Sequence, residues 1–198
     1  MDSLASTLVD RPEVQACFGG LLRDDDQLGF LVARGDVSSV QTEIALLSES
    51  SGYSEDAFQM QLEPLLDYGW WQRPGPVERP VVRPGMLLCV FTMRFPDFQN
   101  RDQFINATQH HSEYCWSNEP DTQIYGMGVA YNASTTSAPV TEGDVVVVMV
   151  CTDEAALQKH SDDPQHLALG EKVAGLGIEV ENPLSHVYQL TTGYLWRE

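Results

Sequence analysis

One stretch constrains this chain more than any other: Asp144 to Leu169, DVVVVMVCTDEAALQKHSDDPQHLAL. Val145 to Val148, then Met149, Val150 and Cys151, are apolar at every position. A half-exposed strand would alternate, so this run predicts a central strand buried on both faces. Thr152 and Asp153 then offer an N-cap for a helix. Ala156, Leu157 and His160 share one side of that helix. Pro164 restarts the chain, and His166, Leu167 and Leu169 continue helically. A strand feeding into a helix with an inward histidine, then a second histidine beyond Pro164, has the form of a pocket wall. Histidines that merely cap or flank a helix satisfy the same pattern.

The elements before this stretch can be read from the same periodicities. Met86 to Phe95 (MLLCVFTMRF) is a strongly apolar strand. Pro96-Asp97 opens a helix that runs to about Trp116, with Phe104, Ala107, His111 and Tyr114 on one face and His110 beside it. Asn118 to Asp121 is a turn. Thr122 to Tyr131 is a strand with Gln123, Tyr125, Met127, Val129 and Tyr131 on one side. Ile124, Gly126, Gly128 and Ala130 are on the other, where small residues admit another element or a ligand. After a polar loop come the central strand and helix, and a last strand spans about Ser185 to Tyr194. The order from 86 to 194 is β-α-β-β-α-β. That is an α+β, ferredoxin-like arrangement: an antiparallel four-stranded sheet with its helices on one face. The bare sheet face is apolar and needs a cover, usually a second sheet.

Residues 73–85 (RPGPVERPVVRPG) hold four prolines and two glycines, the mark of an extended linker and the best domain boundary. Before it, Glu13 to Arg23 with a Gly19-Gly20 bend and Gln27 to Arg34 read as a hairpin around Asp24-Asp25-Asp26. Ser3 to Val9, Val37 to Leu47 and Glu55 to Leu66 read as helical pieces, and Tyr68 to Arg73 as a closing strand. Gln27 to Leu66 lines up in outline with Asp144 to Val180, so 1–72 is expected to be a degenerate copy of a complete domain at 86–198. All five histidines, His110, His111, His160, His166 and His186, lie in the second copy. Chemistry is expected there.

Composition narrows the partners. The net charge of −18 disfavours phosphate backbones and anionic lipid, so neither nucleic acid nor a membrane surface is expected. No apolar run reaches the length of a membrane span and the first residues lack a secretion signal, so the expected location is the cytoplasm. Cys17, Cys89, Cys115 and Cys151 are far apart and read as reduced core thiols. The sequons at Asn106 and Asn132 carry little weight without a secretion signal.

Two short patterns in this order of elements resemble the antibiotic biosynthesis monooxygenase family of dimeric α/β barrels. One is Glu119-Pro120-Asp121-Thr122-Gln123-Ile124-Tyr125, similar to the family's Glu-Pro-Gly-Thr-Leu-x-Tyr. The other is Asp153-x-x-Ala156-x-x-x-His160 with His166 soon after. The resemblance covers about residues 86–194. Two positions depart from it: the family's Glu-x-Tyr before the Asp is Met149 and Cys151 here, and its Gly after Glu-Pro is Asp121. With Met149 in place of that Glu, no acid–base role is carried over to this position. The family includes cofactor-free monooxygenases of aromatic polyketides, haem-degrading enzymes and proteins without known activity. Related barrels cyclise or decarboxylate polyketides, so fold alone does not choose among them.

The resemblance implies a homodimer and a small aromatic, polyketide-type substrate of secondary metabolism. Oxygenation, cyclisation, decarboxylation and isomerisation all pass through an enolate or phenolate, so each needs a base, oxyanion donors and a dry aromatic pocket. His111, His110 and His160 are the candidate bases. Asn106, Tyr114 and Tyr125 are candidates to hold oxygens. Trp116, Phe91, Met93 and Tyr131 are candidates to line the pocket. Every one of these also has an ordinary structural use, and a non-catalytic small-molecule-binding barrel or a structural pseudo-dimer stays open. No pair of histidines has a local metal-binding spacing with a nearby carboxylate, so no metal is expected. No Gly-x-Gly-x-x-Gly or phosphate loop is present, and no cofactor is expected.

Overall fold

The valine run lies where its composition demands, in the middle of a sheet. In the computed structural model, which describes residues 14–23, 25–35, 61–65, 69–74, 81–131 and 140–195, contacts divide the chain into two units. One comprises Met1–Ala57, Pro74–Met86 and Val187–Glu198; the other comprises Phe58–Arg73 and Leu87–His186. No helix among the described residues is long and apolar enough to cross a membrane.

In the first unit, β1 (Val14–Leu22) and β2 (Asp25–Gly35) form the antiparallel hairpin expected around the aspartates. The other edge of β1 pairs with the later part of β8 (Glu181–Tyr194), from Tyr188 to Tyr194. The Gly19-Gly20 bend is real: the register with β8 slips between these two residues. A Cβ on Gly20 would stand 2.1 Å from the Gln189 carbonyl oxygen, so only glycine fits the approach. The helices expected at 3–9 and 37–47 lie outside the described residues.

In the second unit, β7 (Val145–Cys151) is flanked by β5 (Leu87–Arg94) and β6 (Thr122–Tyr131), both antiparallel to it. Val145, Val146 and Val150 are fully buried, with neighbours on both faces of the sheet. Each such side chain contributes about 2 kcal/mol of apolar transfer free energy. The first residues of β8 belong to this unit, and β8 stands beside β5, so the strand order is β8-β5-β7-β6-β3. The order β8-β5-β7-β6 is that of a ferredoxin-like sheet.

β3 (Gln61–Pro64) and β4 (Trp71–Gln72) both pair antiparallel with β6. The helix expected over Glu55 to Leu66 is therefore corrected at 61–64, and residues 55–60 lie outside the described ones. The apolar spacing of Leu62 and Leu65 is helical, but the free edge of β6 has unpaired N–H and C=O groups that a strand satisfies. The small residues of β6 permit this. A Cβ on Gly126 would lie 2.4 Å from the Trp70 indole, and one on Gly128 would lie 2.9 Å from the Glu63 carbonyl oxygen.

The helix expected from Asp97 to Trp116 is two helices, α1 (Phe98–Thr108) and α2 (His111–Asn118). Asp97 caps α1 by accepting from the Asn100 N–H at 2.8 Å. At the other end the Thr108 hydroxyl bonds back to the carbonyls of Phe104 and Ile105, at 2.9 and 3.3 Å. Such back-bonding bends helices, and the chain turns at Gln109-His110. After β7, Asp153 caps α3 (Glu154–Ser161) through the Ala156 N–H at 2.9 Å. Asp163 and Pro164 then open α4 (Pro164–Gly175), as the proline predicts.

The core of this unit gathers Met93, Phe104, Cys115, Tyr125, Met127, Val145, Met149, Cys151 and Ala156. Asp144, buried at the start of β7, accepts two bonds from the Arg94 guanidinium at 3.0 Å each and one from the Thr141 N–H at 2.8 Å.

Two outcomes follow for stability. Gly126→Ala forces Trp70 off the sheet and should cost about 2 kcal/mol, within the range of overpacked cores. Asp144→Ala leaves the Thr141 N–H and the Arg94 fork without their acceptor and should cost about 2 kcal/mol. Urea unfolding checks both, as a lower midpoint with an unchanged slope. A midpoint equal to the wild type in either variant would contradict the corresponding contact.

Candidate active site

Three helix ends of the second unit bring three imidazoles together. His111 is the first residue of α2, His160 lies in the last turn of α3, and His166 lies in the first turn of α4. His160 and His166 rings are 4.4 Å apart between centroids, His111 and His166 5.2 Å, and His111 and His160 5.5 Å. His166 Nδ1 is 3.2 Å from His111 Nε2. His111 and His160 are each only 7% exposed.

His160 is held by a carboxylate that the sequence places in the turn before β6. Its Nδ1 lies 2.9 and 3.0 Å from the two oxygens of Glu119, which is 5% exposed. The second Glu119 oxygen also accepts from the Thr122 hydroxyl at 3.0 Å. Burial alone would raise the Glu119 carboxyl, but the hydrogen bond and charge of His160 and the bond from Thr122 hold it below the ordinary carboxylate range. An ionised Glu119 can only accept. Nδ1 of His160 therefore carries a proton, and the neutral form of the ring has its lone pair on Nε2.

The other two imidazoles are kept neutral. Burial, then the neighbouring His160 and His166, push His111 down to about 4. Burial and His160 lower His166 as well. Tyr114 stacks on His111 with centroids 6.3 Å apart and donates to Asp163 at 2.9 Å, a bond that raises its phenol. Asp163 in turn caps α4 through the Gln165 N–H at 2.8 Å and fixes the start of the helix that carries His166. The Tyr125 ring meets His111 edge-on at 5.7 Å and lies 6.3 Å from His160.

The backbone of Glu119 is positioned from the opposite end of the segment. Arg73 donates to the carbonyls of Thr122 at 2.6 Å, Trp116 at 2.7 Å, Glu119 at 2.9 Å and Cys115 at 3.1 Å. These include carbonyls in the last turn of α2, where that of Cys115 also accepts from the Glu119 N–H at 3.0 Å. Its guanidinium also lies over the rings of Trp71 and Trp116, at 5.0 and 4.7 Å. Trp71 donates to the Ser112 carbonyl at 2.9 Å and stacks on Tyr125 at 6.1 Å.

Of the residues singled out in the sequence, His111, His160, Tyr114 and Tyr125 come together. His110 does not: its side chain is 87% exposed and faces Glu113 at 3.6 Å. Asn106 is exposed on α1. Trp116 anchors the end of α2 against Trp71, 5.2 Å away, and Arg73. Phe91 is 37% exposed on β5, Met93 is buried in the core, and Tyr131 is half-buried at the far end of β6. His166, Glu119, Asp163 and Arg73 belong to the cluster without having been picked out as site residues. Met149 and Cys151, where the resembling family has Glu-x-Tyr, are core residues. The carboxylate beside His160 comes instead from Glu119, 41 positions away. Sequence spacing offered no histidine pair with a carboxylate close by in the chain; the carboxylate is supplied across 41 positions instead.

No family model matches the chain, and no curated protein matches it significantly. Solved structures do match. A candidate monooxygenase of Lactobacillus acidophilus superposes with a TM-score of 0.67 at 10% identity, over 99% of this chain and 90% of its own. A candidate monooxygenase of Fusobacterium nucleatum superposes at 0.66 with 9% identity, over 99% and 89%. A protein described as anthrone oxidase-like superposes at 0.59 with 13% identity, over 96% and 83%. At these identities the likeness is one of fold: this chain shares an α+β architecture with those proteins.

Proposed function

We propose that this chain is an enzyme that deprotonates an acidic aromatic substrate of the anthrone or polyketide-phenol class and lets the resulting carbanion react with oxygen. The observation that carries the reading is the buried Glu119–His160 pair, with Nδ1 of His160 clamped and Nε2 turned over as a base. The fold shared with monooxygenase-like proteins supports it, as does the neighbour named for anthrone oxidation.

The chemistry follows from the charges. His160 Nε2 takes a proton from the activated CH2 of an anthrone, and Glu119 stabilises the imidazolium that forms. One N–H of the neutral His111 and His166 is spent in the 3.2 Å bond between them, so Tyr125 and the one remaining imidazole N–H are the donors for the oxyanion form of the substrate. The carbanion passes an electron to oxygen, a C–O bond forms, and the peroxide anion recovers the proton from His160. Loss of water from the hydroperoxide leaves the quinone carbonyl. The balance is one CH2 and one O2 in, one C=O and one H2O out.

Aerobic and anaerobic incubation with anthrones, read by mass, tests this reading. Gain of one oxygen and loss of two hydrogens, in air alone, is expected. His160→Ala should lower kcat by about 10² to 10⁴-fold, the usual share of a general base, and the near-isosteric Glu119→Gln should lower kcat with little change in KM. Turnover at equal rate without oxygen would replace oxygenation by cyclisation or decarboxylation. Wild-type kcat in His160→Ala would remove His160 as the base.

A further inference from the structure

The same three imidazoles make a second proposal, which goes beyond base catalysis and stands or falls separately from it. We infer that His111, His160 and His166 form a binding site for one divalent first-row transition-metal ion of the zinc class, with Glu119 holding the His160 ligand from behind. One ring nitrogen of each histidine lies within 4.8 Å of those of the other two. The separation of His166 Nδ1 and His111 Nε2, 3.2 Å, is the informative one. Two imidazole nitrogens bound to one tetrahedral ion at about 2.0–2.1 Å stand about 3.3–3.4 Å from each other, from the metal–nitrogen distance and the tetrahedral angle. The two rings are already spaced as ligands of a common ion.

The third ligand is prepared in the usual way for such sites. A metal-bound histidine almost always donates its other ring N–H to a carboxylate or carbonyl, which fixes its tautomer and aims its lone pair. Glu119 does this for His160 at 2.9 and 3.0 Å. Glu119 is itself fixed by Thr122 and, through its backbone, by Arg73. Asp163 fixes the first turn of α4, where His166 stands.

A competing donor set shares His160: Cys115, Glu119 and His160 also place one ligand atom each within 4.8 Å of the others. It is the poorer set. Both Glu119 oxygens are already engaged by His160 and Thr122, and taking them for a metal would strip His160 of its orienting partner. Three nitrogen ligands without a thiolate favour zinc, cobalt, nickel, copper or iron(II) over magnesium or calcium, which require oxygen. Three protein ligands also leave a coordination position for water or substrate.

A bound ion would occupy the Nε2 lone pair that the base mechanism uses. Metal binding is therefore measured by itself, without reference to turnover. The chelator-treated full chain is titrated with Zn2+ by calorimetry and with Co2+ by visible absorption. The expected result is one ion per chain, a Co2+ d–d spectrum of tetrahedral type, and a rise in melting temperature on Zn2+ addition. His166→Ala, a half-exposed position whose fold is checked by circular dichroism, should lose at least about 100-fold in affinity and the Co2+ spectrum. Glu119→Gln should lose about 10- to 100-fold, as for other partners behind a ligand. His110→Ala, on the surface, should bind as the wild type does. No stoichiometric ion, or equal affinity in wild type and His166→Ala, overturns the site. Loss of binding in Cys115→Ser with retention in His166→Ala would move the ion to the competing set and equally overturn it. If Zn2+ binds and slows anthrone turnover, both proposals stand. If it binds and no anthrone is turned over with or without chelator, the metal site stands and the oxygenase reading falls.

Discussion

The hydrogen bond between Glu119 and His160 is the contact on which the candidate site depends. It joins the turn before β6 to the end of α3, and both partners are buried. Taking a carboxylate out of water is expensive unless it is fully bonded. Here the imidazole and the Thr122 hydroxyl cover its oxygens, and Arg73 secures the backbone on which it stands. Either partner alone would be a liability in this place. Together they specify one tautomer of one histidine, which is a functional property rather than a packing one.

The rest of the cluster is built from helix interruptions. α1 and α2 are split at Gln109-His110, so His111 begins a helix. α3 and α4 are split before Pro164, so His160 ends one helix and His166 begins the next. A continuous helix in either place would spread these side chains along one axis. The breaks turn them toward a common point, and Asp163 caps the helix that restarts at the second break. The sheet beneath contributes rigidity, because β7 is buried on both faces and its neighbours β5 and β6 are paired along nearly their whole lengths.

Local patterns carried far in this sequence. The bounds of β6 were legible as Thr122 to Tyr131, and the Asp153 cap and the Pro164 restart could be read directly. What could not be read depends on partners far apart in sequence. Glu119 looked like a turn residue, and its partner His160 is 41 positions on. His166 meets His111 across 55 positions. Arg73 opened a proline-rich linker, yet its bonds run 42 to 49 positions ahead to the end of α2 and the start of β6. The strand at 61–64 was hidden by helical periodicity, because edge pairing with β6 outweighs the preference of the segment itself. Gly126 and Gly128 were the legible sign that something would close against that strand.

The protonation of the His160 ring is the most direct readout of the Glu119–His160 contact. Nitrogen-15 NMR of the histidine side chains, on chelator-treated protein at neutral pH, distinguishes a protonated ring nitrogen from one with a free lone pair. His160 is expected to hold its proton on Nδ1, with a bare Nε2, and Glu119→Gln to disturb this resonance more than those of His110 and His186. A His160 protonated on Nε2 would contradict it, since that ring would have no lone pair to offer to a substrate proton or to a metal.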